Sequence, residues 1–350
     1  MSTHSRCLRV RWAWLALLAA CQAPHGPVVE QPKRLSTLHQ QLPTAPAIQA
    51  AQPVLANQTR IKVGPAAMPL LTLPWGHAAG HLGHRPADES IAEGPMALDV
   101  GPDGRIAVLD QVHARVQVWR DGQLPEVLGL PSNAFQDLAF GPDGRLWAMR
   151  RHGQPEIIAV GAVPPLVVAL AHPRLGEPAA ATALLVGRDG VWIERVHQDV
   201  LHLSDAQAGT PADPQALLGR FGAGQLLVTA TLRPPTDAWV VAWTTDGAVA
   251  WQAQAQVRDA TNNLLPILAL REWAPTADGG AWLVIETAEG AERRHQALRW
   301  AAGGQLAQTV DLPLPTGPDE QFRPYRVGPD DALYALVADT DAARVWRFAP

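Results

Sequence analysis

The side chains able to do chemistry are thinly spread over this 350-residue chain. His113, His152, His172, His197, His202 and His295 are dispersed, with no HExxH or comparably close ligand set, so a zinc hydrolase motif is absent. His197 and His202 come closest to a pair, and solvated loop histidines are the plainer reading. No GxSxG nucleophile elbow, GxxxxGK[ST] phosphate loop or GxGxxG fingerprint occurs, which removes the commonest readable hydrolase, nucleotide and dinucleotide sites. The 2 cysteines, Cys7 and Cys21, both stand near the N-terminus, leaving the body without a disulfide framework or a cysteine-based zinc site. With 28 basic and 33 acidic residues and a formal charge of -5, there is no cationic surplus to hold nucleic acid phosphates, and nucleic acid is not expected as a partner. No catalytic, cofactor-binding or metal-binding residue is assigned.

Two sets of residues recur in step. Asp110, Glu194, Glu286 and Asp339 each follow an apolar run and could converge on one face as an acidic, cation-binding cluster. An ion pair within each repeat, as Asp110 with Arg115, is the more ordinary expectation. Trp147, Trp192, Trp239 and Trp282, with Tyr334, fall shortly after turn aspartates and could form a sugar-binding ladder. Recurrence in nearly every repeat argues instead for packing between neighbouring units, which needs a bulky group at the same place each time.

The elements that must carry these residues are strands. Short apolar runs alternate with turns in one phrase: LDVGPDGRIAVLD at 98–110, LAFGPDGRLWAMR at 138–150 and ALLVGRDGVWIE at 183–194. Fainter copies are TATLRPPTDAWVVAW at 229–243, REWAPTADGGAWLVIE at 271–286 and YRVGPDDALYALVAD at 325–339. The turn aspartates, Asp103, Asp143, Asp189, Asp237, Asp278 and Asp330, recur on average about every 45 residues, a propeller-blade period. In Pro-Asp-Gly the proline sets a negative φ, the aspartate accepts a local hydrogen bond, and the glycine takes a left-handed conformation, giving a tight hairpin. Flanking runs rich in Val, Leu, Ile and Trp favour strands. The expectation is an all-β, six-bladed β-propeller.

At 94–119, GPMALDVGPDGRIAVLDQVHARVQVW resembles an NHL-type repeat, with its Pro, Asp-Gly turn, following Asp and Arg-Val pair. Asp339, Arg344 and Val345 echo that pattern, whereas Arg150 stands where the second repeat would have its acid. SNAFQDLAFGPDGRLW at 132–147 is similar to a blade of the gluconolactonase-type hydrolases or the streptogramin-lyase-like propellers. That resemblance implies a central divalent metal or acid/base groups, with Asn133 near the axis. With only Asn57, Asn133, Asn262 and Asn263 present, the lactonase family's asparagine-rich metal set cannot be assembled, and no cofactor is expected.

The chain ends at ARVWRFAP, after the third strand of its last repeat. An unclosed blade leaves backbone groups unpaired and exposes strand edges. Residues 66–74 (AAMPLLTLP) offer an apolar strand with no hairpin partner nearby, and are predicted to pair with 343–348 and complete the sixth blade.

The N-terminus supplies an address. Arg6, Arg9 and Arg11, the apolar run Trp12 to Ala20, and small residues before Cys21 make the tripartite pattern of an export signal, too short to span a bilayer. Leu18-Ala19-Ala20-Cys21 resembles the lipobox of bacterial lipoproteins, which implies cleavage before Cys21 and lipidation of its sulfur. Residues 1–20 then form the signal peptide, 21–63 a flexible Pro/Gln/Ala-rich tether and 64–350 the propeller domain. Gln22 stands where an inner-membrane retention signal would have Asp, which favours the outer membrane. The expected function is a lipid-anchored module of the bacterial cell envelope, attached to the membrane through acylated Cys21 and binding a protein, peptide or glycan. A metal-dependent lactonase- or lyase-like enzyme is the alternative.

Overall fold

The computed structural model describes residues 60–61, 68–87, 92–120, 122–204, 216–222, 226–259, 261–317 and 320–350. Cys21 and the export signal lie outside the described residues. Two short strands come first, β1 (Arg60–Ile61) and β2 (Leu71–Pro74). Blade one is β3 (Ala97–Val100), β4 (Ile106–Asp110), β5 (Arg115–Trp119) and β6 (Glu126–Gly129). Blade two is β7 (Phe135–Phe140), β8 (Leu146–Arg150), β9 (Glu156–Ala159) and β10 (Val167–Ala169). Blade three is β11 (Ala181–Gly187), β12 (Gly190–Arg195), β13 (Asp199–Ser204) and β14 (Ala216–Leu217). Blade four is β15 (Arg220–Phe221), β16 (Leu227–Arg233), β17 (Asp237–Trp243) and β18 (Val249–Ala255). Blade five is β19 (Ile267–Pro275), β20 (Ala281–Glu289), β21 (Glu292–Trp300) and β22 (Leu306–Leu312). The sixth holds β23 (Tyr325–Val327), β24 (Leu333–Ala338) and β25 (Ala342–Phe348).

Its fourth strand comes from the other end of the chain. β2 runs antiparallel to β25, with Leu71 opposite Val345, Leu73 opposite Ala343 and Pro74 opposite Ala342. The molecule is a six-bladed β-propeller closed by an N-terminal strand. Arg60–Ile61, inside the stretch expected to be tether, pairs in parallel with β22 at the outer edge of blade five.

The fourth repeat falls one hairpin away from its expected place. Its inner strand is β15, whose turn begins at Gly222, so the phrase at 229–243 is the hairpin between the second and third strands. Asp237 is therefore not the counterpart of the other turn aspartates, and Trp239 is only half-buried where Trp147, Trp192, Trp282 and Tyr334 are buried. The regular turns behave as their residues require. Asp143 Oδ1 accepts the Arg145 N–H at 3.0 Å, and Gly144 takes φ +78°.

Blades stack face to face, so middle strands bury both sides and read as continuous apolar runs. β24 (LYALVA) is buried at every residue. Apolar clusters join blades one and two (Leu109, Phe135), two and three (Trp147, Ile193), four and five (Val240, Leu283), five and six (Val284, Leu333), and six and one (Leu98, Val345). Each such fully buried aliphatic side chain contributes roughly 1.5–3 kcal/mol. Among the described residues no cluster of this kind joins blades three and four.

Candidate functional site

The inner strands bring a set of charges together at the ring centre that no stretch of sequence holds side by side. Asp99 lies on β3, Asp137 on β7, Arg220 on β15, Glu272 on β19 and Arg326 on β23, with Arg323 just ahead of β23 and Glu194 reaching in from β12. Arg220 donates from Nε and Nη2 to the two oxygens of Glu194 at 2.6 and 2.9 Å, and from Nη1 to Glu272 and to the Trp273 carbonyl at 3.1 Å. Its guanidinium also lies 3.9 Å from the centre of the Trp273 ring. Arg323 donates to Glu272 at 3.1 and 3.2 Å, to Asp137 at 3.3 Å and to the Leu184 carbonyl at 3.1 Å. Leu184 belongs to blade three, opposite blade six, so Arg323 crosses the axis. Arg326 donates to Asp137 at 3.0 Å, to the Leu98 carbonyl at 3.0 Å and to the Leu138 carbonyl.

Burial of charge is tolerable only with such partners. Burial alone would push Glu194 up, yet the Arg220 guanidinium and His197 hold its carboxyl well below the usual range. Burial dominates at the other end of the chain of charges. It pushes Asp137 up to about 6 against the pull of Arg323, and Asp99 up to about 7 despite the Phe140 N–H.

Of these charges Asp99, Glu272, Arg323 and Arg326 line a recess of about 1120 Å³. Its rim is built from the turns between first and second strands, including Pro102, Pro142, Arg188 and Pro329, and its walls include Phe140, Trp192 and Phe221. On the opposite face Phe322 packs against blades one to three, with the Arg151 guanidinium 4.2 Å from its ring centre. A smaller cleft of about 380 Å³ lies beside Trp75, His77, His84 and His113, where Trp75 stacks on His84 with ring centroids 4.9 Å apart.

The recurring acids do not converge. Asp110 pairs with Arg115 at 2.8 Å and Asp339 with Arg344 at 2.5 Å, each within its blade. Glu286 is held within blade five by Arg271 and Arg293, and Glu194 alone of the four bonds into the next blade. Blade two reverses the pair, with Arg150 bonded to Glu156 at 2.7 Å. His197 meets Glu194 at 3.1 Å, whereas His202 stacks on Trp192 at 4.2 Å, so the two histidines serve different neighbours. His295, pushed down to about 4 by burial, meets the Tyr325 hydroxyl at 2.6 Å. His152 is exposed, and His172 is half-buried. Asn133 is exposed in the turn before β7, and Asn57 lies outside the described residues.

A central divalent ion finds no suitable donor set here. Asp137, Glu194 and Glu272 already face three guanidinium groups, whose positive charge and hydrogens occupy the positions a shared metal ion would need. Among the described residues no three His, Cys, Asp or Glu side chains come together as a metal site would require.

No protein-family profile matches the chain, and no curated protein is recognisably similar in sequence. Solved structures with a similar course of chain include virginiamycin B lyase from Staphylococcus aureus, 10% identical over 72% of this chain and 94% of that one, with a TM-score of 0.39. A gluconolactonase from Xanthomonas campestris is 17% identical over 80% of this chain and 98% of that one, with a TM-score of 0.43. Hsv2 from Kluyveromyces marxianus is 6% identical over 72% of this chain and 96% of that one, with a TM-score of 0.37. The likeness extends to architecture and no further.

Proposed function

We propose that this protein is a lipid-anchored binding module of the bacterial cell envelope, held to the membrane through acylated Cys21 and using its central recess to take a protein, peptide or glycan. The observation that carries this reading is the axial lattice. Three arginines and three carboxylates, Asp137, Glu194 and Glu272, hold one another across the ring, which makes the floor a rigid, polar base for recognition. Asp137 spends its lone pairs on guanidinium and backbone N–H groups, Glu194 on Arg220, the Thr182 hydroxyl and His197, and Glu272 on Arg220 and Arg323. A carboxylate engaged in this way is a poor general base, because proton transfer would first break its ion pairs. The recess above offers what binding sites use, namely aromatic walls with a few placed polar groups.

The anchor rests on the sequence. Several acyl chains on one cysteine suffice for stable attachment, since each buried CH₂ is worth about 0.8 kcal/mol. Expressed in a bacterium that processes lipoproteins, the wild-type chain is expected in the detergent-soluble membrane fraction. Cys21→Ser is expected to leave the chain unprocessed by the lipoprotein peptidase and without the diacylglyceryl mass. An identical mass and fraction for both forms would refute the anchor. Cross-linking on intact cells, followed by mass spectrometry, tests for a saturable partner at the recess.

A further inference from the structure

The lattice has one loose end. Asp137, Glu194 and Glu272 each accept guanidinium hydrogens, but among the described residues Asp99 accepts none. Its Oδ2 takes the Phe140 N–H at 2.6 Å. Its Oδ1 stands 3.4 Å from Arg326 Nε, and that Nε gives its hydrogen to the Leu98 carbonyl. The Asp99 side chain is 14% exposed, against 0% for Asp137, 2% for Glu194 and 1% for Glu272, and it lines the recess. The side chains lining the recess include four carboxylates, Asp99, Asp189, Glu272 and Asp331, and three guanidinium groups, Arg188, Arg323 and Arg326, so with every group ionised the recess is short of one positive charge. Phe140, Trp192 and Phe221 line the same space, and aromatic faces attract cations.

We propose that Asp99 receives a cationic side chain, arginine or lysine, from a peptide or protein segment that enters the recess. This rests on the binding-module reading and narrows it to a class of partner. The neighbouring charges permit it. Arg323 and Arg326 are engaged with Asp137, Glu272 and backbone carbonyls, Arg151 acts on Asp137 from the far face, and the rim carries Arg188, Asp189 and Asp331. Burial that raises Asp99 to about 7 means that a proton sits there at mildly acid pH and must leave when the cation binds.

The test is calorimetric titration of the purified full chain with acetyl-Ala-Arg-Ala-amide and with the same peptide carrying citrulline, a neutral isostere. The arginine peptide is expected to bind saturably and at least tenfold more tightly than the citrulline peptide. Its affinity is expected to rise about tenfold between pH 6 and pH 8, as the ionised fraction of a group titrating near 7 rises about tenfold. Asp99→Asn, which keeps an acceptor for the Phe140 N–H, is expected to bring the arginine peptide down to the citrulline level and to flatten its pH profile. Equal binding of the two peptides, no saturable binding, or a pH profile in the wild-type chain that stays flat would overturn the proposal. The wild-type profile needs no variant to fold. A cellular partner that binds Asp99→Asn as well as wild type would overturn this assignment while leaving the binding module intact.

Discussion

At the residue scale, Asp99 and Asp137 hold carboxyls whose protonation is tied to folding. Both titrate higher in the fold than in an unfolded chain, Asp99 near 7 and Asp137 near 6. A raised acid stabilises fully below its unfolded value and loses that contribution as pH rises through its folded value. The stability of the ring should therefore carry a component that declines from about pH 4 to about pH 7, while Glu194, whose lowered value works the other way, contributes a loss only as pH falls below about 4.5. Chemical denaturation across that range is expected to separate them. Asp99→Asn removes one titrating proton, so its stability should gain on wild type by up to about 1.4 kcal/mol per pH unit as pH rises from about 5 to about 6, with the gain levelling off above 7. Parallel curves for the two proteins would show that the fold does not raise Asp99. The signal for these residues is present in the sequence, as a lone acid inside an apolar inner strand: Asp99 in Ala97–Val100 and Asp137 in Phe135–Phe140. It is hard to read because Arg323 and Arg326 lie 186 and 189 residues downstream of Asp137, and farther still from Asp99, and only ring closure brings them near.

At the scale of elements, the seam between blades three and four is built differently from its neighbours. The other five carry apolar clusters, whereas here the described residues meet through the Arg220–Glu194 pair and the edge of Phe221 against Trp192, with ring centroids 5.9 Å apart. Arg220 is also the hub between Glu194 and Glu272, so Arg220→Ala leaves buried Glu194 with no guanidinium and Glu272 with Arg323 alone. Breaking a buried pair by removing one partner typically costs about 3–5 kcal/mol. Urea denaturation is expected to show a loss of that size for Arg220→Ala, and less than about 1 kcal/mol for Arg85→Ala, whose pair with Glu93 is at the surface. Equal losses would mean that the seam does not depend on this arginine. The same region explains why one blade is misplaced in the sequence. The Pro-Asp-Gly turn makes blades one and two readable, but blade four turns at Gly222, without a turn aspartate, and Arg233–Asp237 closes the next hairpin with turn-like residues of its own. Turn chemistry identifies a hairpin; it does not say which hairpin of the blade it is.

For the whole molecule, the question is what keeps the ring shut. The segment from Leu71 to Gly83 fastens both sides of the seam between blades six and one. β2 completes blade six, and Leu73 is 2% exposed within the cluster of Leu98, Leu336 and Val345. The following strap is then pinned to blade one. Gln117 Oε1 accepts the Gly80 N–H at 2.8 Å, Asp110 Oδ1 accepts the Gly83 N–H at 3.1 Å, and Arg115 donates to the His77 and His81 carbonyls at 2.8 Å. A propeller joined this way should open between blades six and one before its blades come apart, since there a short strand from the other end of the chain, not a continuous run of chain, holds the last blade's edge. Leu73→Ala leaves a cavity in that cluster and is expected to destabilise the chain by about 2–5 kcal/mol. Hydrogen exchange followed by mass spectrometry can locate the loss. Amides of β2, β25 and the strap are expected to exchange faster in the variant, while those of blades two and three keep their protection. A uniform loss over all blades would instead show that the ring unfolds as one cooperative unit, in which the two chain ends are no weaker a point than any other interface.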